Sequence, residues 1–168
     1  MSERSAAPGG LALVESLVNT LDIESGADAL DTPEGRGALG ITADSLAGAR
    51  ELRESLRAAL LAHAGHPPHR TVTPLGALLA RAPLYIAVDE HDGSARLAPT
   101  DADPLLSRVA AAVAEALVAG TWARLKACES ETCHWAYYDR SPAGRGRWCS
   151  MQVCGARAKM RRYRAKGP

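Results

Sequence analysis

Cys128, Cys133, Cys149 and Cys154 are the only cysteines of the chain, and all four fall in its last 41 residues. They form two pairs, each with four residues between its members, and fifteen residues separate the pairs. Two such pairs can bring four thiolates to the corners of a tetrahedron, the geometry Zn²⁺ favours at about 2.3 Å per sulfur. In a chain that is not exported disulfides are disfavoured, so metal binding is the natural use of paired cysteines. Four thiolates also fill the coordination sphere, which makes the predicted Zn²⁺ structural and not catalytic. His134, beside Cys133, stays open as a replacement for one thiolate.

Cations crowd around the same residues. From Thr121 to Pro168 there are eleven Lys and Arg against three acids, a balance of +8 that leaves −7 on the first 120 residues of a chain carrying +1 overall. Such asymmetry points to an interaction surface in the basic part. The segment after Ser150 reads as a helix with Cys154 in its first turn. On that helix Arg157, Arg161 and Arg164 form one cationic stripe and Lys159, Arg162 and Lys166 another, while Val153, Met160 and Tyr163 can face inward. Arg145 and Arg147 add charge from the preceding turn. A polyanion relieves the self-repulsion of such a helix, and a phosphate backbone is the commonest one. DNA is the expected partner. RNA, an acidic protein, a merely solvated tail, and docking on the acidic part of the same chain are the alternatives.

The elements that must hold these residues follow from the rest of the chain. "HWAYYD" reads as a strand, "RSPAGRG" as a turn and "RWC" as the returning strand, so knuckle, hairpin and helix predict a treble-clef-like zinc module over residues 121–168. A module this small needs a metal staple to fold. Trp135 and Trp148 sit on the two expected strands, either packed on the zinc core or free to stack on unpaired bases.

Residues 1–120 read as a mainly helical domain with one small hairpin. Leu11–Asp22 is amphipathic at helical spacing. Thr32–Pro33 and Thr73–Pro74 are helix starts. Asp44–His63 places Leu46, Ala49, Leu52, Leu56, Ala59 and Leu60 on one stripe with Arg50, Glu54 and Arg57 opposite, and Gly65 and Pro67 stop it. "LYIAV" and "ARLAP" flank "DEHDGS" as a hairpin. Asp103 caps a last helix that ends at Gly120. The fold class is therefore mainly α with a small β-hairpin, followed by the zinc module. With 46% hydrophobic residues the chain can bury a core, and no stretch approaches the ~18 apolar residues of a membrane span. A cytoplasmic protein with no membrane partner is expected.

At these residues the chain resembles the CGNR zinc-finger family, whose signature appears here as "CESETC", "YYDRS", "RWCSM" and "CGARAKMRRYR". "LVNTLD" and "LDTP" resemble the ABATE domain that precedes this finger. The resemblance implies a stress-induced transcriptional regulator of bacteria, with the four cysteines as zinc ligands and the finger as DNA reader. Two positions depart from the family pattern: Ala156 stands where the signature has Asn, and no Trp follows the Thr32–Pro33 start.

Other chemistry-bearing residues have plainer uses. His63, His66 and His69 surround two prolines that prevent a helical metal face, so a loop is expected. Asp89 to Gly93 is hairpin-turn chemistry. Asn19 and Thr20 either line a ligand cavity or help end the first helix, the use such residues have more often. A small-molecule ligand of the N-terminal part remains open. No phosphate loop, nucleophile elbow or metalloprotease motif occurs, so no enzyme is expected.

Overall fold

The computed structural model describes residues 5–100 and 104–165. Its centre is α3 (Leu46–His63), which Gly65 ends in the left-handed region at φ +81°. The expected apolar stripe buries Ala49, Leu52, Leu56 and Leu60. Against it lie α1 (Leu11–Val18), with Leu11, Val14, Leu17 and Val18 buried, and α5 (Pro104–Val118), with Val109 at its middle. Each such side chain contributes about 1.5–3 kcal/mol when taken from water. Helix α1 stops at Val18, four residues short of the expected end, because the Thr20 hydroxyl turns back to the Leu17 carbonyl.

Of the two Thr-Pro starts, only the first caps by side chain. Thr32 Oγ1 accepts the Gly35 N–H at 3.1 Å and opens α2 (Pro33–Gly37). Thr73 instead donates its hydroxyl to the Glu51 carboxylate, so α4 (Leu75–Leu79) has no side-chain cap. The expected hairpin is present as β1 (Leu84–Val88) paired antiparallel with β2 (Ala95–Pro99). Its turn is closed by Asp89 and Asp92 carboxylates accepting the His91 and Ser94 N–H groups. Asp103, the expected cap of α5, lies outside the described residues.

Of the expected charged stripe Arg50, Glu54 and Arg57, only Arg50 stays partly exposed, paired with Asp28 and Asp31. Glu54 and Arg57 are buried, as is Arg53, because segments far away in sequence fold over that face. One is β3 (Leu125–Ala127), which pairs antiparallel with β4 (Ala136–Tyr138). Leu125, Ala127 and Ala136 belong to the same hydrophobic cluster as Leu56 and Leu60. The C-terminal hairpin thus shares one core with the helices.

Two further expectations for the C-terminal region are corrected. The "RWC" segment is not a strand: β4 pairs with β3, which sequence patterning missed because it has only three residues. Asp139 curls the intervening chain into a closed loop by accepting the N–H groups of Ser141 and Gly146, so the chain does not return beside β4. After Ser150 a wide turn, Met151–Gly155, leads into α6 (Ala156–Ala165). Val153 in the wide turn and Met160 and Tyr163 on α6 are exposed instead of facing inward, and no residue of α6 is buried.

Candidate metal centre and basic helix

The first cysteine pair lies on a knuckle between β3 and β4. Cys128 is fixed by its N–H to the Trp135 carbonyl, and Cys133 and His134 both donate backbone N–H groups to the Ser130 carbonyl. His134 then takes φ +45°, the left-handed turn that leads the chain from the knuckle into β4. The second pair rides on the wide turn: Ser150 Oγ caps it by accepting the Val153 N–H, and its carbonyl accepts the Gly155 N–H five residues on. This wider turn carries Cys154 back toward Cys149.

All four Sγ atoms lie within 4.8 Å of one another, with Cys133 to Cys149 at 3.6 Å and Cys149 to Cys154 at 3.8 Å. A tetrahedron with ~2.3 Å bonds has sulfurs about 3.8 Å apart, so the donor set fits a four-thiolate metal site. His134 is outside the cluster; its Nδ1 donates to the Cys128 carbonyl at 3.0 Å. Crowding by Cys128 and Cys149 raises the Cys133 thiol, and burial pushes Cys154 up to about 12. A dication at the centre reverses that penalty, because it pairs with thiolate and not thiol.

Around the centre the loop from Asp139 to Gly146 is held tightly. Burial alone would raise the Asp139 carboxyl, but hydrogen bonds from Ser141, Lys126 and Gly146 outweigh it and hold it well below the carboxylate range. Lys126, itself buried, joins Asp139 at 2.9 Å and the Gly144 carbonyl at 2.5 Å. Gly146 is required there, since a Cβ would stand 2.9 Å from the Asp139 carboxyl carbon.

The predicted nucleic-acid residues fall into two groups. Arg147 is clamped by both carboxylate oxygens of Glu129 and lies over the Trp148 ring at 5.1 Å, and Arg157 reaches Glu24 at 2.9 Å. Among the described residues Arg145, Lys159, Arg161, Arg162 and Arg164 form no ion pair. Lys166 lies outside the described residues. Among the described residues the pair between Arg157 and Glu24 is the one ion pair joining α6 to the acidic part. Arg147, Trp148, Lys159, Arg162 and Tyr163 border a niche of about 590 Å³ beside α6. Trp148 is half-buried against Gly155, whereas Tyr163 is 74% exposed.

Three residues given other uses by the sequence, a helix end, a charged helix face and a histidine loop, tie the two regions together. Asn19 bonds both backbone groups of Ala136, at 3.0 and 2.7 Å. It is neither in a ligand cavity nor only a helix terminator. Arg57 donates to the Val18 and His134 carbonyls, each at 2.8 Å, and His63 Nδ1 donates to the Leu125 carbonyl at 2.7 Å. Nothing short of the pairing of β3 could have revealed these partners.

Comparison with known families agrees with this arrangement. Residues 11–120 match the ABATE family model, described as "Putative stress-induced transcription regulator", and residues 124–167 match the CGNR zinc finger. The chain belongs to the ABATE family and carries a CGNR zinc finger. No curated protein matches it. In these terms the ABATE region holds the first finger hairpin in its core, and the CGNR finger contributes the four-cysteine cluster and α6. The two families are a regulator and a zinc finger, not enzymes. No helix among the described residues is long and apolar enough to cross a membrane.

Proposed function

We propose that this is a zinc-dependent DNA-binding regulator of a stress response, working in the cytoplasm. Cys128, Cys133, Cys149 and Cys154 hold a structural Zn²⁺, and α6 is the surface offered to DNA. The observation that supports this most is the exposure of Lys159, Arg161, Arg162 and Arg164 on one protruding helix without an acidic partner among the described residues. At ten residues α6 is about 15 Å long, and a B-DNA major groove about 12 Å wide admits a helix. Zinc acts on this surface indirectly: it fixes the wide turn from which α6 springs, and so fixes where the cations point.

A second reading rests on Trp148 and Tyr163 in the niche beside those cations. Aromatic faces with cations around them suit an unpaired base, so RNA or single-stranded DNA is the rival partner. An acidic protein surface is the third.

Selection from a random duplex library by the zinc-loaded protein at ~150 mM salt tests the proposal, because purely ionic binding is weakened there. Enrichment of a sequence supports a specific regulator. A flat duplex selection together with tight, salt-resistant single-strand binding contradicts it.

A further inference from the structure

We propose that β1 is a docking edge for a second copy of this chain, the two hairpins joining antiparallel, β1 to β1, into one four-stranded sheet. The proposal does not rest on the DNA-binding reading. At one end of the hairpin the Asp89 N–H donates to the Ser94 carbonyl, and at the other the Thr100 N–H donates to the Pro83 carbonyl. Both ends set the same phase, since hydrogen-bonded and non-bonded pairs alternate along an antiparallel ladder. Tyr85 and Ala87 therefore turn their backbone groups to β2, and Leu84, Ile86 and Val88 turn theirs outward.

Among the described residues no strand pairs with that outer side. Natural edges are blunted by charge, by proline or by a bulge. β1 has none of these: its residues are Leu84, Tyr85, Ile86, Ala87 and Val88, in unbroken register with β2. Tyr85 is 51%, Ile86 68% and Val88 60% exposed. The outer side of β2 is different, for the same alternation puts Pro99 there, and a proline has no N–H to offer. Two strands alone make a marginal sheet, so further strands on β1 stabilise it.

A second copy is the occupant that the charges select. Arg81 stands at the entry to β1 and Asp89, Glu90 and Asp92 at its exit, all exposed. Arg81 and Glu90 form no ion pair or hydrogen bond among the described residues. Antiparallel pairing centred on Ile86 brings Arg81 of each copy beside the acidic turn of the other, so the match is made twice. Parallel pairing would set like charges together. In the antiparallel register every outward N–H of Leu84, Ile86 and Val88 meets an outward C=O of the other copy. Ile86 packs on Ile86 across the two-fold axis, and Val88 on Leu84. A self-complementary edge of this kind closes at two copies. Where α6 meets DNA, such a dimer presents it twice, as a two-fold symmetric site requires.

Sedimentation equilibrium of the full-length, zinc-loaded protein from roughly 1 to 200 µM tests this, a range suited to so short an edge. The mass should rise with concentration from 17.7 kDa toward twice that value. Ile86→Lys sets two like charges at the centre of the pairing and should hold the chain monomeric throughout. Because Ile86 is exposed, that variant should keep the wild-type unfolding midpoint at low concentration. Arg81→Glu should weaken the dimer roughly fivefold, and adding Glu90→Arg should restore it, since each reversal acts on two exposed pairs. A wild-type chain that stays monomeric overturns the proposal and leaves the edge to a strand of another protein. A dimer that survives Ile86→Lys, or that ignores both charge reversals, overturns it by placing the interface elsewhere.

Discussion

The side-chain amide of Asn19, at the end of α1, bonds both the N–H and the C=O of Ala136 in β4, 117 residues away. An amide can do this because it carries a donor and an acceptor on one planar group, as a neighbouring strand would. Ala136 is buried, so no water can replace Asn19. Asn19→Ala leaves two buried backbone groups unsatisfied at about 1–3 kcal/mol each. Asn19→Asp should be no better, because one carboxylate oxygen is then set against the Ala136 carbonyl. Urea unfolding of both variants checks this; a loss below about 1 kcal/mol in Asn19→Ala would show the clamp to be incidental.

The shared core predicts how the chain comes apart. Leu125, Ala127 and Ala136 pack with Leu56 and Leu60, and Arg57 depends on the His134 carbonyl. A chain ended at Gly120 should therefore expose apolar surface and leave one N–H of the buried Arg57 guanidinium without its acceptor, and should not fold, whereas one ended after Asp139 should. Cys149→Ser in the full chain should abolish zinc binding and loosen residues 140–165, while β3 and β4 keep their protection from hydrogen exchange. A stably folded 1–120 fragment would overturn this.

Acid should weaken the fold through Glu54. Burial alone would raise its carboxyl, but the His69 hydrogen bond and the charges of Arg57 and Arg53 outweigh it and bring it down to about 2. A carboxyl depressed in the folded state binds fewer protons there than when unfolded. Its stabilisation is thus complete above about pH 5 and is lost as pH falls toward 2. Glu54→Gln should flatten that part of the stability profile and cost about 3–5 kcal/mol at pH 7, because the buried Arg57 guanidinium loses its carboxylate partner while Arg53 keeps only Asp28. Unfolding midpoints from pH 7 to 3 measure both effects.

Gly146→Ala probes the loop between the cysteine pairs. The new Cβ meets the Asp139 carboxyl group at about 3 Å, so either Lys126 loses its partner or Cys149 shifts. Zinc affinity, read by competition with a chelator, should fall about tenfold. Unchanged affinity would mean that the loop does not position the second pair.

The cysteine pairs, the Thr32–Pro33 start and the apolar stripe of α3 could be read directly, because each is decided by residues within a few positions of one another. The buried charges of α3 could not. Glu54 and Arg57 look like a solvated face until His69 and β3 are brought against them, and Arg53, which the pattern did not single out, is buried beside Asp28; those contacts depend on tertiary folding. The apolar residues of α6 failed in the opposite sense: Met160 and Tyr163 repeat at helical spacing, yet no residue of that helix is buried. The "RWC" strand was lost to Asp139, whose hydrogen bonds close a loop that alternation of side chains does not reveal. The pairing of the four cysteines was legible and the wiring around their cluster was not.

The role of α6 is tested most directly by the salt dependence of duplex DNA binding, zinc-loaded wild type against Arg161→Ala/Arg162→Ala/Arg164→Ala. Among the described residues these three form no ion pair or hydrogen bond, so the variant should keep its zinc and its unfolding midpoint. Each phosphate contact contributes about 0.9 to the slope of log affinity against log salt. A slope shallower by about 2–3 in the variant is the predicted result. An unchanged slope and affinity would contradict the assignment of α6 as the DNA-binding surface.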